Sequence, residues 1–364
     1  MTLTLVRAST LGAAARETFT RRVAAIGGTL RRGITARFAP SIEYSVTLLA
    51  LAGTRPSELL AVMRGESVVA RGLVAAHPNE LDTATLGLFE VTTDDDALRA
   101  TTLLTDAARN WAAVHKCTRL LAPVDLNSWF SYRLLVPPAG AAELDGPYHW
   151  EPVTPVHHHT LLKSAGFAPC AIFHALVATP DADSLARGLA VSKPAVAKGR
   201  AAGMTLAPFS ATPLDALLDE LCTLSNAAFR QNPLFEPISH ALFREQYLRL
   251  AQRVDFSPSQ VARNAAGQLM GYLFAFVDDG TAVVKTAAVS ADARNCGLMK
   301  AMHHHAITDL ARRPLKAIAW APYIEGNWTG LLARDFVAGP VALRQRDYAL
   351  LAAPCAQVAL AAAW

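Results

Sequence analysis

"VVKTAAVSADARNCGLMKAMHHHAI", residues Val283 to Ile307, decides how the second half of this chain folds. An apolar run ending at Val289 gives way to a short polar loop, a glycine and a helical pattern that opens near Leu298. A helix start of this kind gathers unpaired backbone N–H groups at one point, and the helix dipole favours negative charge there. Phosphate is therefore the ligand it suits. One glycine between a strand and a helix is common, so the surrounding elements must decide.

The three histidines in the same stretch suggest a metal, but helical geometry argues against one. Successive helical residues point about 100° apart, so His303, His304 and His305 cannot converge on one ion. A helical metal pair needs ligands at i and i+4. His303 has Met299 and Ile307 at those places and His304 has Lys300 and Thr308; only His305 has a polar partner, in Asp309, which reads as a surface hydrogen bond. His303 shares a stripe with Met302, Ala306 and Leu310 and is expected half-buried, and His304 is expected in solvent. No metal is predicted. The second triplet, His157 to His159, falls in a proline-flanked stretch and reads as a polar surface loop, with metal or substrate contact beside His149 and Glu151 as the alternative.

With 364 residues the chain exceeds the usual size of one domain, and two are expected. Apolar residues make up 52% and charged residues 18%, with no run of about 18 apolar residues that would span a bilayer. A soluble protein without a membrane partner follows. The net charge of +4 arises from 34 basic and 30 acidic residues spread along the chain, which gives no patch for nucleic acid. Residues 1 to 42 hold seven Arg, no Lys and only Glu17 as an acid, the composition of a transit peptide or of an Arg-rich surface helix; we take the helix. Cys117, Cys170, Cys222, Cys296 and Cys355 lack CxxC spacing, so neither a disulfide framework nor a zinc knuckle is expected, and a cytoplasmic location fits.

Patterning predicts strands at 67–75 and 85–91, a helix from Asp96 as N-cap to His115, a strand at 118–124 and a short helix at 161–167 closed by Gly166. Residues 180–204 form either a linking helix or a tether. Thr212 to Asp215 has the form of a capping box that opens an apolar helix, and a second helix runs near 240–252. Strands at 260–263, 268–277 and 281–289 make an antiparallel meander, followed by the helix with the histidines, a strand at 315–321, the segment "NWTGLLARDF" as a last helix and a strand around Tyr348.

This order of elements resembles the GNAT superfamily of acyl-CoA-dependent N-acyltransferases. The family's phosphate motif runs Arg or Gln, two variable residues, Gly, one variable residue, then Gly or Ala. Arg294, Asn295, Cys296, Gly297, Leu298 and Met299 occupy those places, with Met299 where a small residue is usual. "VVKTAAV" resembles the strand that pairs with the pantetheine arm, which implies cofactor contacts at Ala287, Ala288 and Val289. "EGNWTGLLARDF" resembles the Asn-containing last helix, with Asn327 at the asparagine. "NPLFEPISHALFREQYLRL" resembles the acceptor-side helices of a tandem branch, and "GLFE" (87–90) and "LLKSAGF" are similar to features of that branch's degenerate first domain. The resemblance implies an α+β (mixed α/β) fold of two tandem GNAT-like domains, each a mostly antiparallel twisted sheet flanked by helices. Residues 1–180 would form a domain that does not bind CoA, 181–204 a linker and 205–364 the acyl-CoA-binding domain.

Direct attack of an amine on a thioester requires loss of a proton from the amine, a donor for the oxyanion and an acid for the thiolate. The resemblance implies that the backbone near Val289 serves the oxyanion. The family's acid tyrosine falls at Arg334 in this chain, so Tyr323 or Tyr348 would have to substitute, and either is equally an ordinary core-edge tyrosine. Glu325 is the candidate base, or a solvated loop residue. Lys285 shares a face with Ala287 and Val289 by alternation; it either meets a substrate carboxylate or CoA phosphate, or snorkels outward. The function expected is transfer of an acyl group, acetyl being the first choice, from acyl-CoA to a small-molecule amine. The alternatives are a non-catalytic CoA-binding sensor or scaffold and, third, an enzyme such as a decarboxylase acting on a CoA-bound acyl group. Oligomeric state cannot be read.

Overall fold

The computed structural model describes residues 2–26, 41–137, 154–326, 330, 332–334 and 343–355. His149, Glu151 and Asn327 lie outside them. The chain divides into two compact units, Met1–Leu144 with Pro152–Ile172 and Asp347–Trp364, and Asp145–Glu151 with Phe173–Arg346.

The first unit holds β1 (Leu3–Arg7), α1 (Ala13–Ala25), α2 (Ile42–Ala52), β2 (Ser57–Arg64), β3 (Ser67–Ala76), β4 (Thr83–Val91), α3 (Ala97–Val114), β5 (Arg119–Ala122), β6 (Leu134–Leu135) and α4 (Val156–Ser164). Strands β1 to β4 pair antiparallel in sequence order, and β4 pairs parallel with β5. The Arg-rich segment supplies both a strand and a helix, α1 carrying the exposed Arg16 and Arg21.

Strand β7 (Ala168–Ala178) passes into the second unit at Phe173. There follow α5 (Ala182–Ala201), β8 (Thr205–Pro208), α6 (Leu214–Ala228), α7 (His240–Ala251), β9 (Gln260–Arg263), β10 (Leu269–Asp278), β11 (Thr281–Val289), α8 (Leu298–Leu310) and β12 (Ala317–Ile324). Strands β8 to β11 pair antiparallel in order, β11 pairs parallel with β12, and β12 antiparallel with β7. The fold is a mixed α/β arrangement in which antiparallel pairing dominates. Strand β13 (Leu343–Pro354) leaves the second unit at Asp347, and its later residues pair with β5 and β6. Strands β7 and β13 thus each contribute residues to both units.

Helix α5 occupies the stretch that reads as linking helix or tether. Asp181 and Ser184 close a capping box at its start, and its small residues Ser184, Gly188, Ser192 and Gly199 are buried. With so little side chain on that face α5 packs closely on α8. Two anticipated caps are not made. The chain enters α6 at Pro213 with no side-chain cap, and Asp96 precedes α3 without bonding its amides, its carboxylate being taken by Arg64 at 3.1 Å.

One face of the second unit's sheet packs on α8 through Leu176, Leu273, Val284, Leu298, Met302, Ile307 and Trp320. On α7's side Tyr247 packs edge-on to Phe274 at 5.1 Å, and Phe274 lies beside Phe256 at 4.8 Å. Trp320 is fully buried and its indole N–H donates to His303 Nε2 at 3.4 Å, which explains both the burial of that histidine and the phase of α8. Trp320→Ala should destabilise the protein by about 3–5 kcal/mol. Chemical denaturation would measure it, and a loss below about 1 kcal/mol would mean that this side chain does not organise the core.

Candidate functional site

The second unit's site begins where two strands part. The parallel ladder of β11 with β12 runs from Thr281 opposite Ala317 to Val284 opposite Trp320 and stops. Beyond it, among the described residues, β11 pairs only with β10, while β12 continues along β7. Among the described residues, 285–289 therefore present an edge that no second strand's ladder covers. A bulge at Lys285 marks the parting, since Phe274 faces Thr286 and Ala275 faces Val284.

That bulge corrects the face assigned to Lys285. Ala282 and Val284 before it, and Ala287 and Val289 after it, all pack toward α8. Lys285 instead places its amine 5.9 Å from the Tyr247 ring centre and 6.0 Å from that of Phe274, on α7's side.

The open edge leads into the phosphate-type loop. Ser290 donates its amide to Met270 O at 2.8 Å, while its buried hydroxyl has no partner among the described residues. Asn295 and Gly297 are left-handed, with φ of 66° and 77°, and turn the chain sharply into α8. No side chain caps that helix, and its first turn is closed by Ala301 N–H to Gly297 O at 2.9 Å. The amides of Leu298, Met299 and Lys300 precede that bond and lie outside the helical ladder. Arg294 and Asn295 are exposed beside them, Cys296 and Met299 are half-buried, and Leu298 is buried. A positive dipole end, a cation and an unpartnered hydroxyl gathered at one loop suit a pyrophosphate.

Helix α5 walls the loop on one side. A Cβ at Gly297 would stand 3.3 Å from Ala195 O, and one at Gly199 would stand 3.5 Å from Leu298 Cδ2 and 3.8 Å from Cys296 O. The loop conformation is thus held by packing as well as by backbone dihedrals.

On the other arm of the opening, Tyr323 of β12 is buried and lies opposite His174 of β7, with ring centres 5.9 Å apart, edge to face. Gly330 lies so near that a Cβ there would fall 2.6 Å from the tyrosine ring. Glu325 is 75% exposed and its Oε1 is 3.9 Å from His174 Nε2, while His174 Nδ1 is 3.0 Å from Gln345 Nε2. The structure therefore brings together Tyr323, Glu325 and His174. Tyr348 is buried within the first unit's portion of β13, with its backbone opposite Leu135. Arg334 is exposed.

His174 escaped the sequence. It belongs to a strand that starts in the first unit, and the only available signal was the apolar run around it, "AIFHALVA" (171–178).

The other histidines differ from expectation. His304 is not solvated: Nδ1 lies 2.8 Å from Ser192 Oγ, tying α8 to α5. Asp309 pairs with Arg313 and not with His305. His157 to His159 open helix α4, where His158 and His159 are buried; the residues do not form a surface loop. No group of three or more His, Cys, Asp or Glu among the described residues could hold a metal, and no helix among them is long and apolar enough to cross a membrane.

Residues 195–323 match the family described as "Acetyltransferase (GNAT) domain". None of the curated proteins matches the chain by sequence. Among solved structures the chain is similar to a tandem GNAT protein from the clavulanic acid biosynthesis pathway, at 14% identity and a TM-score of 0.51, covering 98% of this chain and 99% of that one. It is also similar to a probable N-acyltransferase of Enterococcus faecalis V583, at 8% identity and 0.55 over 98% and 74%. A glucosamine N-acetyltransferase region of a fungal multi-domain β-N-acetylglucosaminidase aligns at 12% identity and 0.54, over 97% of this chain and 38% of that one. At these identities the structural likenesses establish the fold.

Burial lowers the imidazole pKa values of both His304 and His305. Lys193 pushes His304 further down against the pull of the Leu189 carbonyl, and His304 and Arg200 do the same to His305. Below the ordinary histidine value of about 6.5 the unfolded chain takes up protons that the fold resists. The stability contribution is complete above that pH and is lost as pH falls toward the folded values. The double variant His304→Asn/His305→Asn should flatten the decline of Tm between pH 7 and 5 in thermal melts, leaving the share due to the similarly depressed His157 and His159. An unchanged slope would contradict the packing of α5 on α8.

Proposed function

We propose that this chain, whose residues 195–323 match the GNAT domain, is a tandem GNAT protein whose second unit binds acyl-CoA and transfers the acyl group to an amine of a small molecule. The observation that carries the reading is the open edge of β11 ending at an uncapped helix start, within the residues that match the GNAT domain. The amides at Leu298 to Lys300, with Arg294 and the Ser290 hydroxyl, would hold the pyrophosphate. Ala287 to Val289 would offer backbone groups to the pantetheine arm and an amide to the thioester oxygen, as an oxyanion requires. Acetyl-CoA is the donor we would try first.

Glu325, at the exposed end of β12, would take the proton from the amine, and His174 stands within ion-pair reach to orient it. Tyr323, on the α8 face of the same strand end, would protonate the leaving thiolate. Tyr348 is set aside because it lies buried in the first unit. Lys285, bulged toward α7, would meet an acidic group on the acceptor.

Isothermal titration with CoA and a thiol-release assay with acetyl-CoA over an amine panel test this. Gly297→Val, which strains a left-handed position against Ala195, should weaken CoA binding at least tenfold, the equivalent of about 1.4 kcal/mol. Tyr323→Phe should lower kcat about 10²-fold with little change in KM for the donor. Absence of CoA binding at millimolar ligand would end the proposal. Met299 in the small-residue place and the exposed Arg334 favour a second reading, a CoA-binding protein without catalysis, which tight binding without thiol release would select.

A further inference from the structure

The first unit repeats the parting of strands but closes it. Its parallel ladder of β4 with β5 runs from Thr83 opposite Arg119 to Thr85 opposite Leu121, whereas β4 continues to Val91. Here the chain itself covers the exposed edge. Val124 donates its amide to Leu86 O at 2.9 Å, and Asp125 Oδ1 accepts the amide of Leu88 at 2.6 Å. Between them Gly87 is pressed so closely that a Cβ would fall 2.4 Å from Val124 O, 2.7 Å from Asp125 Oδ1 and 2.8 Å from Asp125 Cα. Nothing further fits there.

The strap is held from several sides. Asp125 Oδ2 accepts the Tyr44 hydroxyl at 2.7 Å, the Tyr44 oxygen accepts the Ser131 amide at 3.2 Å, and the Asp125 amide donates to Ser131 O at 2.7 Å. Leu126 is buried beyond it, in a cluster with Leu48, Leu73 and Leu88.

The helix start after β4 points the same way independently. Where the second unit has Arg294, Asn295 and Gly297, the first has Asp94, Asp95 and Asp96 with no glycine. Burial pushes the Asp94 carboxyl up, but bonds from Arg64 and Thr92 hold it below the ordinary range. Arg64, at 2.7 Å from Asp94 and 3.1 Å from Asp96, neutralises part of the charge and leaves the aspartate cluster net acidic. Carboxylates suit the positive end of α3 and repel a pyrophosphate from it.

We propose that residues Val124 to Leu126 are a built-in occupant of the first unit's groove, with the Asp125 carboxylate on the backbone amide that would otherwise serve an acyl oxygen. The chain then takes up one acyl-CoA, in the second unit only. The stoichiometry rests on the function proposed above; the occupancy of the groove does not.

Titration of the intact protein with CoA, joined to hydrogen exchange of the segment 86–89, tests both parts. The expected result is one site per chain, weakened at least tenfold by Gly297→Val, and slow exchange at Leu88 that saturating CoA leaves unchanged. Asp125→Ala should speed exchange at that segment tenfold or more, because it removes the acceptor of a buried amide. Tyr44→Phe, which deletes one hydroxyl, should speed it less and retains a testable fold if Asp125→Ala does not. Two CoA per chain, a site whose affinity Gly297→Val leaves unchanged, added protection at Leu88 on CoA binding, or exchange indifferent to both substitutions would overturn the proposal. A protein that binds no CoA yet shows the exchange response would refute the acyl-CoA reading and leave the strap standing.

Discussion

A strand that outlasts its parallel neighbour leaves backbone N–H and C=O groups that something must satisfy, because burying them unpaired costs on the order of 1–3 kcal/mol each. The second unit's organisation follows from this constraint. Its β11 pairs with β12 for four residues and then runs on alone past the bulge at Lys285. The unpaired edge ends at Ser290, whose hydroxyl is unpartnered too, and from there the chain turns into α8 through two left-handed residues. Among the described residues, backbone groups outside any ladder follow one another along the chain from the middle of a sheet to a helix end.

Holding such a line in place needs rigid walls, and the sequence supplies them with small residues. Gly199 and Ala195 let α5 approach the loop within van der Waals distance, and Gly330 leaves room for the Tyr323 ring beside its own backbone. In both places a side chain would displace a group the site needs. Met299 departs from this pattern, but it is half-buried while Leu298 turns inward. What would have to move for a ligand is therefore one flexible thioether end and not backbone.

Much of this could be read from the residues alone, and what escaped shares one cause. The meander strands 260–263 and 281–289, the helix start at Leu298 and the packed His303 follow from periodicity and glycine placement, which act over a few residues. The side of Lys285 was missed because a bulge is set by pairing with β10 and not by β11's own sequence. His304 was put in solvent because the Ser192 it bonds lies 112 positions away on a helix whose packing face is built of small residues. His174 was overlooked because strand exchange carries β7 out of its own half of the chain. Asp125 reaches Leu88 across 37 positions, and an aspartate after a strand gives no local sign of such a bond. Local rules describe elements; they do not say which element arrives from elsewhere.

The two units answer the same constraint in opposite ways, and the chemistry of each answer is self-consistent. In the first, a carboxylate and a backbone amide from the chain satisfy the edge at Leu86 and Leu88, and the helix start is acidic, so a phosphorylated ligand would lose twice. In the second, no further strand among the described residues covers the edge, the helix start has no side-chain cap and Arg294 stands beside it. A mixed design would be unstable in either unit: an open edge beside acidic residues would hold only water, and a strap above a cationic loop would leave the loop's amides unpaired. Edge and loop therefore have to change together. The first unit's edge is satisfied from within the chain, whereas the second unit's runs past its parallel neighbour with no such strap among the described residues.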